Sequence, residues 1–136
     1  MLKVFLSSHG SLASGIKKSV EILVGSSNKL VVFDAYVNNE RLTDALDSFF
    51  KDASDHDDKV LLSDLYGGSV NQQMYLYLDK PNTYLIAGVN LALVLELVMQ
   101  ESANEEYLNK LVENSREMLR IVRYDDEAED NEDDFL

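Results

Sequence analysis

One of the chain's two histidines, His9, stands where an apolar run breaks off in FLSSHG, residues 5–10. A second apolar run, in KVLLSDLYGGS at residues 59–69, breaks off in Asp64 and then Gly67, Gly68 and Ser69. Brought together, these groups have a definite chemistry. A carboxylate that accepts the Nδ1 proton of an imidazole fixes its tautomer and leaves the Nε2 lone pair to act as nucleophile or base. Glycines let the backbone approach where side chains would block it. A helix starting at Ser69 would turn N–H groups, a positive dipole end and a hydroxyl toward an oxyanion such as a phosphoryl group. Plainer roles fit the same residues: a hydrogen-bonded structural histidine, and a turn in which Ser69 caps the helix. Capping and oxyanion binding are compatible. The other histidine, His56, lies in DASDHDD among Asp55, Asp57 and Asp58 and reads as a solvated loop residue.

For His9 and Asp64 to meet, the runs ahead of them must be neighbouring strands. Leu2, Val4 and Leu6 alternate with Lys3 and Phe5, giving a short first strand. Ser11 is placed to cap a helix running to Val24, with Leu12, Ile16, Val20, Leu23 and Val24 on one face and Gly25 closing it. Residues 29–35 give a second strand, and Leu42, Ala45, Leu46, Phe49 and Phe50 recur at helical spacing within 40–52. The third strand covers 59–63. A third helix begins near Ser69 and stops before Pro81, which disfavours helical geometry in its predecessor. Residues 83–87 give a fourth strand, 90–100 a nearly all-apolar helix that must be buried, and 104–115 a fifth helix. LRIVRY, residues 119–124, alternates and is rich in β-formers, so it reads as a last strand, with continuation of the fifth helix as the other reading. Strands alternating with helices in this way specify an α/β fold, a parallel sheet with helices on both faces. Such sheets bind ligands beyond the carboxyl ends of the strands, where the winding direction reverses. In the strand order 2-1-3-4 that point lies between the first and third strands, the ones that end at His9 and Asp64.

The bulk properties narrow the field. At 136 residues the chain fits one domain with its own core. It has no cysteine, which excludes disulfides, thiol catalysis and thiolate metal sites. No secretory leader is read, because polar residues 7–10 interrupt the first apolar run, and 91–99, broken by Glu96, falls short of the ~20 residues a membrane span needs. The expected location is the cytoplasm. The formal charge of −13 is uneven: residues 125–134 hold eight acidic and no basic side chains, which leaves −5 (−13 less −8) for the rest. That block reads as a solvated, disordered tail over 125–136. Acidity of this kind repels nucleic acid and attracts basic protein partners. A nucleotide-binding loop is not supported, since neither GxxxxGK[ST] nor GxGxxG occurs.

Taken jointly, SSHG after the first strand, DLYGGS after the third and AGVN at 87–90 after the fourth resemble the mannose-family enzyme IIA of the bacterial phosphotransferase system, over about residues 2–124. The resemblance implies a flavodoxin-like, doubly wound, mainly parallel sheet in a domain of residues 1–124. It also implies a homodimer in which a C-terminal antiparallel edge strand, here LRIVRY, is exchanged between subunits. By the same resemblance His9 is the phosphorylated residue, Asp64 supports it, and Gly10, Gly67, Gly68 and Ser69 surround the phosphoryl group. The implied partners are the histidine phosphocarrier protein HPr as donor, the IIB component as acceptor, and the membrane permease IIC/IID, which would hold the protein near the inner face of the membrane. The relay calls for no metal, nucleotide or other cofactor. This chain departs from the pattern at Val70 and Ala92, where many members have proline, and at Gln72 and Gln73, where small residues are common.

Other functions compete. A regulatory phosphohistidine protein of the same fold would use the same residues without serving transport. A Ser–His–Asp hydrolase would use Ser69 as nucleophile, although YGGSV lacks the glycine that follows serine in a G-x-S-x-G elbow. An aspartate-phosphorylated receiver wants an acidic cluster at the first strand end, where this chain has SSHG, and fits worst.

Overall fold

Which face each strand residue takes decides what the sheet separates. In β1 (Leu2–His9), Leu2, Val4 and Leu6 pack into one core and Phe5 into another, and all four are fully buried. In β3 (Asp58–Ser63), Val60 and Leu62 join the first core and Leu61 the second. Each such side chain contributes about 1.5–3 kcal/mol by leaving water. The computed structural model describes residues 1–129. Between and after these strands run α1 (Leu12–Val24), β2 (Leu30–Ala35), α2 (Leu42–Asp52), α3 (Ser69–Tyr75), β4 (Thr83–Ala87), α4 (Leu91–Val98), α5 (Glu105–Arg116) and α6 (Tyr124–Glu129). Among the described residues the sheet has the order β2-β1-β3-β4, with every pairing parallel. Helices α1, α4 and α5 cover one face; α2 and α3 cover the other. This is the α/β architecture the alternation of elements calls for, in the flavodoxin-like form the resemblance implies.

The elements differ from expectation at instructive points. The first strand continues beyond Leu6 to His9, because Ser7 and Ser8, both fully buried, pair in register with Phe33 and Asp34 of β2. Ser7 Oγ donates to the Phe33 carbonyl at 2.7 Å. Ser11 does not cap α1. Its ψ of 14° departs from the extended geometry of a capping residue, and its side chain makes no capping bond. Ser8 Oγ accepts from Ala13 N–H at 2.7 Å and Asp34 Oδ1 from Ser14 N–H at 3.0 Å instead. The apolar α4 is buried as its composition requires, and Asn90 caps it by accepting from Leu93 N–H at 2.9 Å.

Residues 119–124 form no strand in the single chain. Turns follow α5, irregular backbone continues to Arg123, and Leu119, Ile121 and Tyr124 stand exposed. Alternation alone does not make a strand; it needs a neighbour's free edge. The start of the acidic segment lies in α6, and the remainder of the expected tail, 130–136, lies outside the described residues. Among the described residues no helix is long and apolar enough to cross a membrane.

Candidate active site at the carboxyl ends of β1 and β3

Register brings the site together. Ser7 of β1 lies opposite Ser63, the last residue of β3, so His9 and Asp64 emerge side by side at the carboxyl edge of the sheet. Asp64 Oδ2 accepts two bonds from His9, one from the backbone N–H and one from ring Nδ1, each 2.9 Å. The pair of bonds to one oxygen fixes the imidazole's direction as well as its tautomer. The His9 side chain is 45 % exposed and the Asp64 side chain 11 %, so the ring faces solvent over a sheltered carboxylate. Burial pushes the Asp64 carboxyl up, but the bonds it accepts from the His9 backbone N–H and ring hold it below its ordinary value. Its other oxygen, Oδ1, is buried and takes no partner among the described residues.

With its proton on Nδ1, the ring presents an Nε2 lone pair, and the Ser69 hydroxyl donates to it at 3.2 Å. Ser69 opens α3 directly after the glycine turn. Gly67 has φ +77°, a left-handed conformation in which any side chain would strain the backbone. Gly68 lies under the imidazole: a Cβ there would sit 3.3 Å from the Leu65 carbonyl oxygen and 3.6 Å from His9 Cε1. The N–H groups of Gly10 and Gly68 are already donated, to the Ala35 and Leu65 carbonyls at 2.8 and 3.1 Å. These glycines therefore shape the rim rather than offer it donors.

The two unusual glutamines have local work. Gln72 Nε2 donates to the Gly67 carbonyl at 2.9 Å, clasping the turn, and Gln73 Nε2 donates to the Tyr36 hydroxyl at 3.3 Å. Tyr36 was not among the residues the sequence singled out. Its hydroxyl is 2.7 Å from Ser69 Oγ, and its ring centroid is 5.3 Å from that of His9. A signal was available: Ala35 ends β2 opposite His9, so the next residue must lie beside the imidazole. His56 is exposed in its loop, where its backbone N–H donates to Ser54 Oγ.

The arrangement is an imidazole oriented through Nδ1 by a sheltered carboxylate, with a serine hydroxyl at Nε2. Residues 3–115 match the family model EIIA-man, described as PTS system fructose IIA component. The fold is similar to that of a putative phosphoenolpyruvate-dependent sugar phosphotransferase system permease from Klebsiella pneumoniae, with a TM-score of 0.80 and 27 % identity, covering 88 % of this chain and 90 % of that one. It is also similar to the phosphotransferase system component EIIA from Streptococcus agalactiae, with a TM-score of 0.74 and 23 % identity, covering 92 % and 98 % of the two chains. A mannose/sorbose specific IIA subunit from Enterococcus faecalis shares the fold at a TM-score of 0.76 and 22 % identity, covering 89 % and 94 %. A search of curated proteins finds no match to the sequence. The chain belongs to the EIIA-man family, the PTS fructose IIA components, and is a phosphotransferase component of a sugar phosphotransferase system.

Proposed function

We propose that His9 accepts a phosphoryl group from the histidine phosphocarrier protein HPr and passes it to a IIB component serving a IIC/IID permease. The observation that carries this reading is the placement of His9 between Asp64 on Nδ1 and Ser69 on Nε2. The Nε2 lone pair forms the new bond to phosphorus, while the bond from phosphorus to the donor's nitrogen breaks and its electron pair leaves with the donor. His9 gains imidazolium character and has no proton to lose from Nε2, because the ring's proton stays on Nδ1, donated to Asp64. Asp64 stabilises the developing positive charge, and Ser69 turns its hydroxyl to a phosphoryl oxygen. Gly67 and Gly68 leave the donor room to approach. Positioning and charge stabilisation carry such a transfer.

Incubation with HPr, its upstream kinase and phosphoenolpyruvate should label the protein once, in an acid-labile and base-stable bond. An unlabelled protein would refute the reading. A second reading has one specific support: Ser69, His9 and Asp64 are spaced as a Ser–His–Asp triad. Family membership weighs against it, and an acyl-ester probe decides, since covalent labelling of Ser69 is expected of the hydrolase alone.

The functional unit in this proposal is a homodimer with exchanged C-terminal strands. In support, β4 pairs with β3 and with no other strand among the described residues, and an open groove of about 1180 Å³ along it is lined by Tyr84, Ile86, Leu108 and Val112. An unpaired edge invites a strand, and the exposed Leu119, Ile121 and Val122 lie on the segment that would supply it. Deleting 119–136 should give monomers or aggregates, whereas deleting 125–136 should keep the dimer. Light scattering that finds an unchanged dimer after the longer deletion would exclude the exchange.

A further inference from the structure

Tyr36 holds a conformation its side chain disfavours. Its φ is +67°, and the other non-glycine residue in that region among the described residues is Asn82, whose type tolerates it. Burial does not explain the exception, because Tyr36 is 60 % exposed. The conformation does place a hydroxyl. The preceding peptide is fixed by the bond from Gly10 N–H to the Ala35 carbonyl, and the phenol then reaches Ser69.

Donor chemistry gives the resulting chain one direction. The Gln73 amide nitrogen only donates, so the Tyr36 oxygen accepts from it and has its own proton for Ser69 Oγ. Ser69 then has its proton for His9 Nε2, and the Nδ1 proton of His9 goes to Asp64, a carboxylate that only accepts. Four bonds therefore run from Gln73 to Asp64 without a reversal, and they require a neutral His9 protonated on Nδ1.

The geometry points to Tyr36 as a positioning residue for phosphoryl transfer that acts through Ser69, and this inference rests on the transfer proposed for His9. By donating to Ser69 Oγ, Tyr36 keeps the serine's proton turned toward Nε2. There it meets first the lone pair and then, once that pair has become the bond to phosphorus, a phosphoryl oxygen. No proton leaves Ser69 or Tyr36. Without the phenol, Ser69 rotates freely and donates to water for part of the time.

The test compares single-turnover transfer from phosphorylated HPr to the wild type, Tyr36→Phe, Ser69→Ala and the double variant. Tyr36→Phe keeps the ring beside His9 and should slow transfer roughly five- to tenfold, the worth of one hydrogen bond, at unchanged Tm. The double variant should be no slower than Ser69→Ala alone. Unchanged transfer in Tyr36→Phe, or losses that multiply in the double variant, would overturn the inference. Tyr36→Gly, which relieves the backbone, should melt no lower than the wild type and still transfer slowly; full-rate transfer by it would also overturn the inference. In the unphosphorylated protein, the His9 Nε2 nitrogen resonance should move in Tyr36→Phe toward that of an unbonded imidazole nitrogen. A resonance indifferent to the substitution overturns the chain of bonds whether or not His9 proves to be phosphorylated.

Discussion

Strand β3 has a histidine and carboxylates near each of its ends, and the two ends behave differently. At the amino end His56 is flanked in sequence by Asp55, Asp57 and Asp58, yet those carboxylates whose bonds are seen serve the backbone. Asp57 Oδ2 accepts from Ser54 N–H at 2.9 Å, and Asp58 Oδ2 accepts from Ala103 N–H at 3.0 Å. At the carboxyl end a single carboxylate, 55 residues from His9 in sequence, takes both the ring and the backbone of that histidine. Both Asp57 and Asp64 are held below the ordinary carboxyl range. For Asp57 the Ser54 backbone bond is the first cause, a local effect of the loop. For Asp64 the lowering comes from His9 and works against burial. Density of charge in sequence makes a turn; placement by the sheet makes a site.

The sharpest way to break this comparison is to exchange the two histidines' fates. His9→Ala should abolish phosphoryl labelling while His56→Ala leaves it intact; label persisting in the His9 variant would sink the assignment. Next in size, Asp64→Asn should slow transfer by about 10²–10⁴-fold, as for loss of a general-base partner. The amide keeps the shape but loses the charge and can present N–H to the ring, favouring the wrong tautomer. Near-normal rates would remove Asp64 from the mechanism.

At the other end of β3 the expected effect is on stability instead. Asp58→Ala strands the Ala103 N–H and should cost about 1–2 kcal/mol in denaturant unfolding with transfer unchanged. Loss of transfer at full stability would reverse the roles given to the two ends. The smallest effect is on pH dependence. Because folding lowers the Asp64 pKa, its contribution is present above the ordinary carboxylate range and is lost as pH falls through the lowered value. Acid unfolding of Asp64→Asn should therefore be less steep than that of the wild type. An identical acid limb would mean that Asp64 does not titrate with folding.

How much of this is legible in the sequence depends on how local the cause is. Thr83–Ala87 appears as a strand at the expected bounds, because its apolar run is framed by Pro81 on one side and Gly88 on the other. Asn90 and Asn104 announce their helices and cap them. The meeting of His9 and Asp64 is legible one step further, since alternating elements imply a parallel sheet and strand order then decides which ends adjoin. Ser11 shows where that reasoning fails: the chain offers Ser8, Ser11 and Asp34 as caps, and the choice is settled by strand pairing that buries Ser8 and aligns Asp34 with it. Tyr36 was missed for a related reason. Its place beside His9 follows from strand register, but its contact with Ser69 depends on a positive φ and a partner 33 residues away, neither of which has a sequence signature. LRIVRY has the pattern of a strand, but a pattern states only what a segment pairs like, and within the single chain the segment pairs with no edge.

The central place of β1 also has a consequence for the order in which the chain acquires its activity. β1 is made before both of its neighbours, yet it hydrogen-bonds to β2 on one side and β3 on the other. During synthesis at about 5–20 residues per second, the histidine leaves the ribosome seconds before the aspartate that orients it and the serine that faces it. Until then residues 2–9 are an apolar segment with two open edges, exposed to mispairing. Closing that contact across 55 residues is a slow, non-local step, so the nascent chain has no oriented imidazole until the residues through Ser69 have emerged.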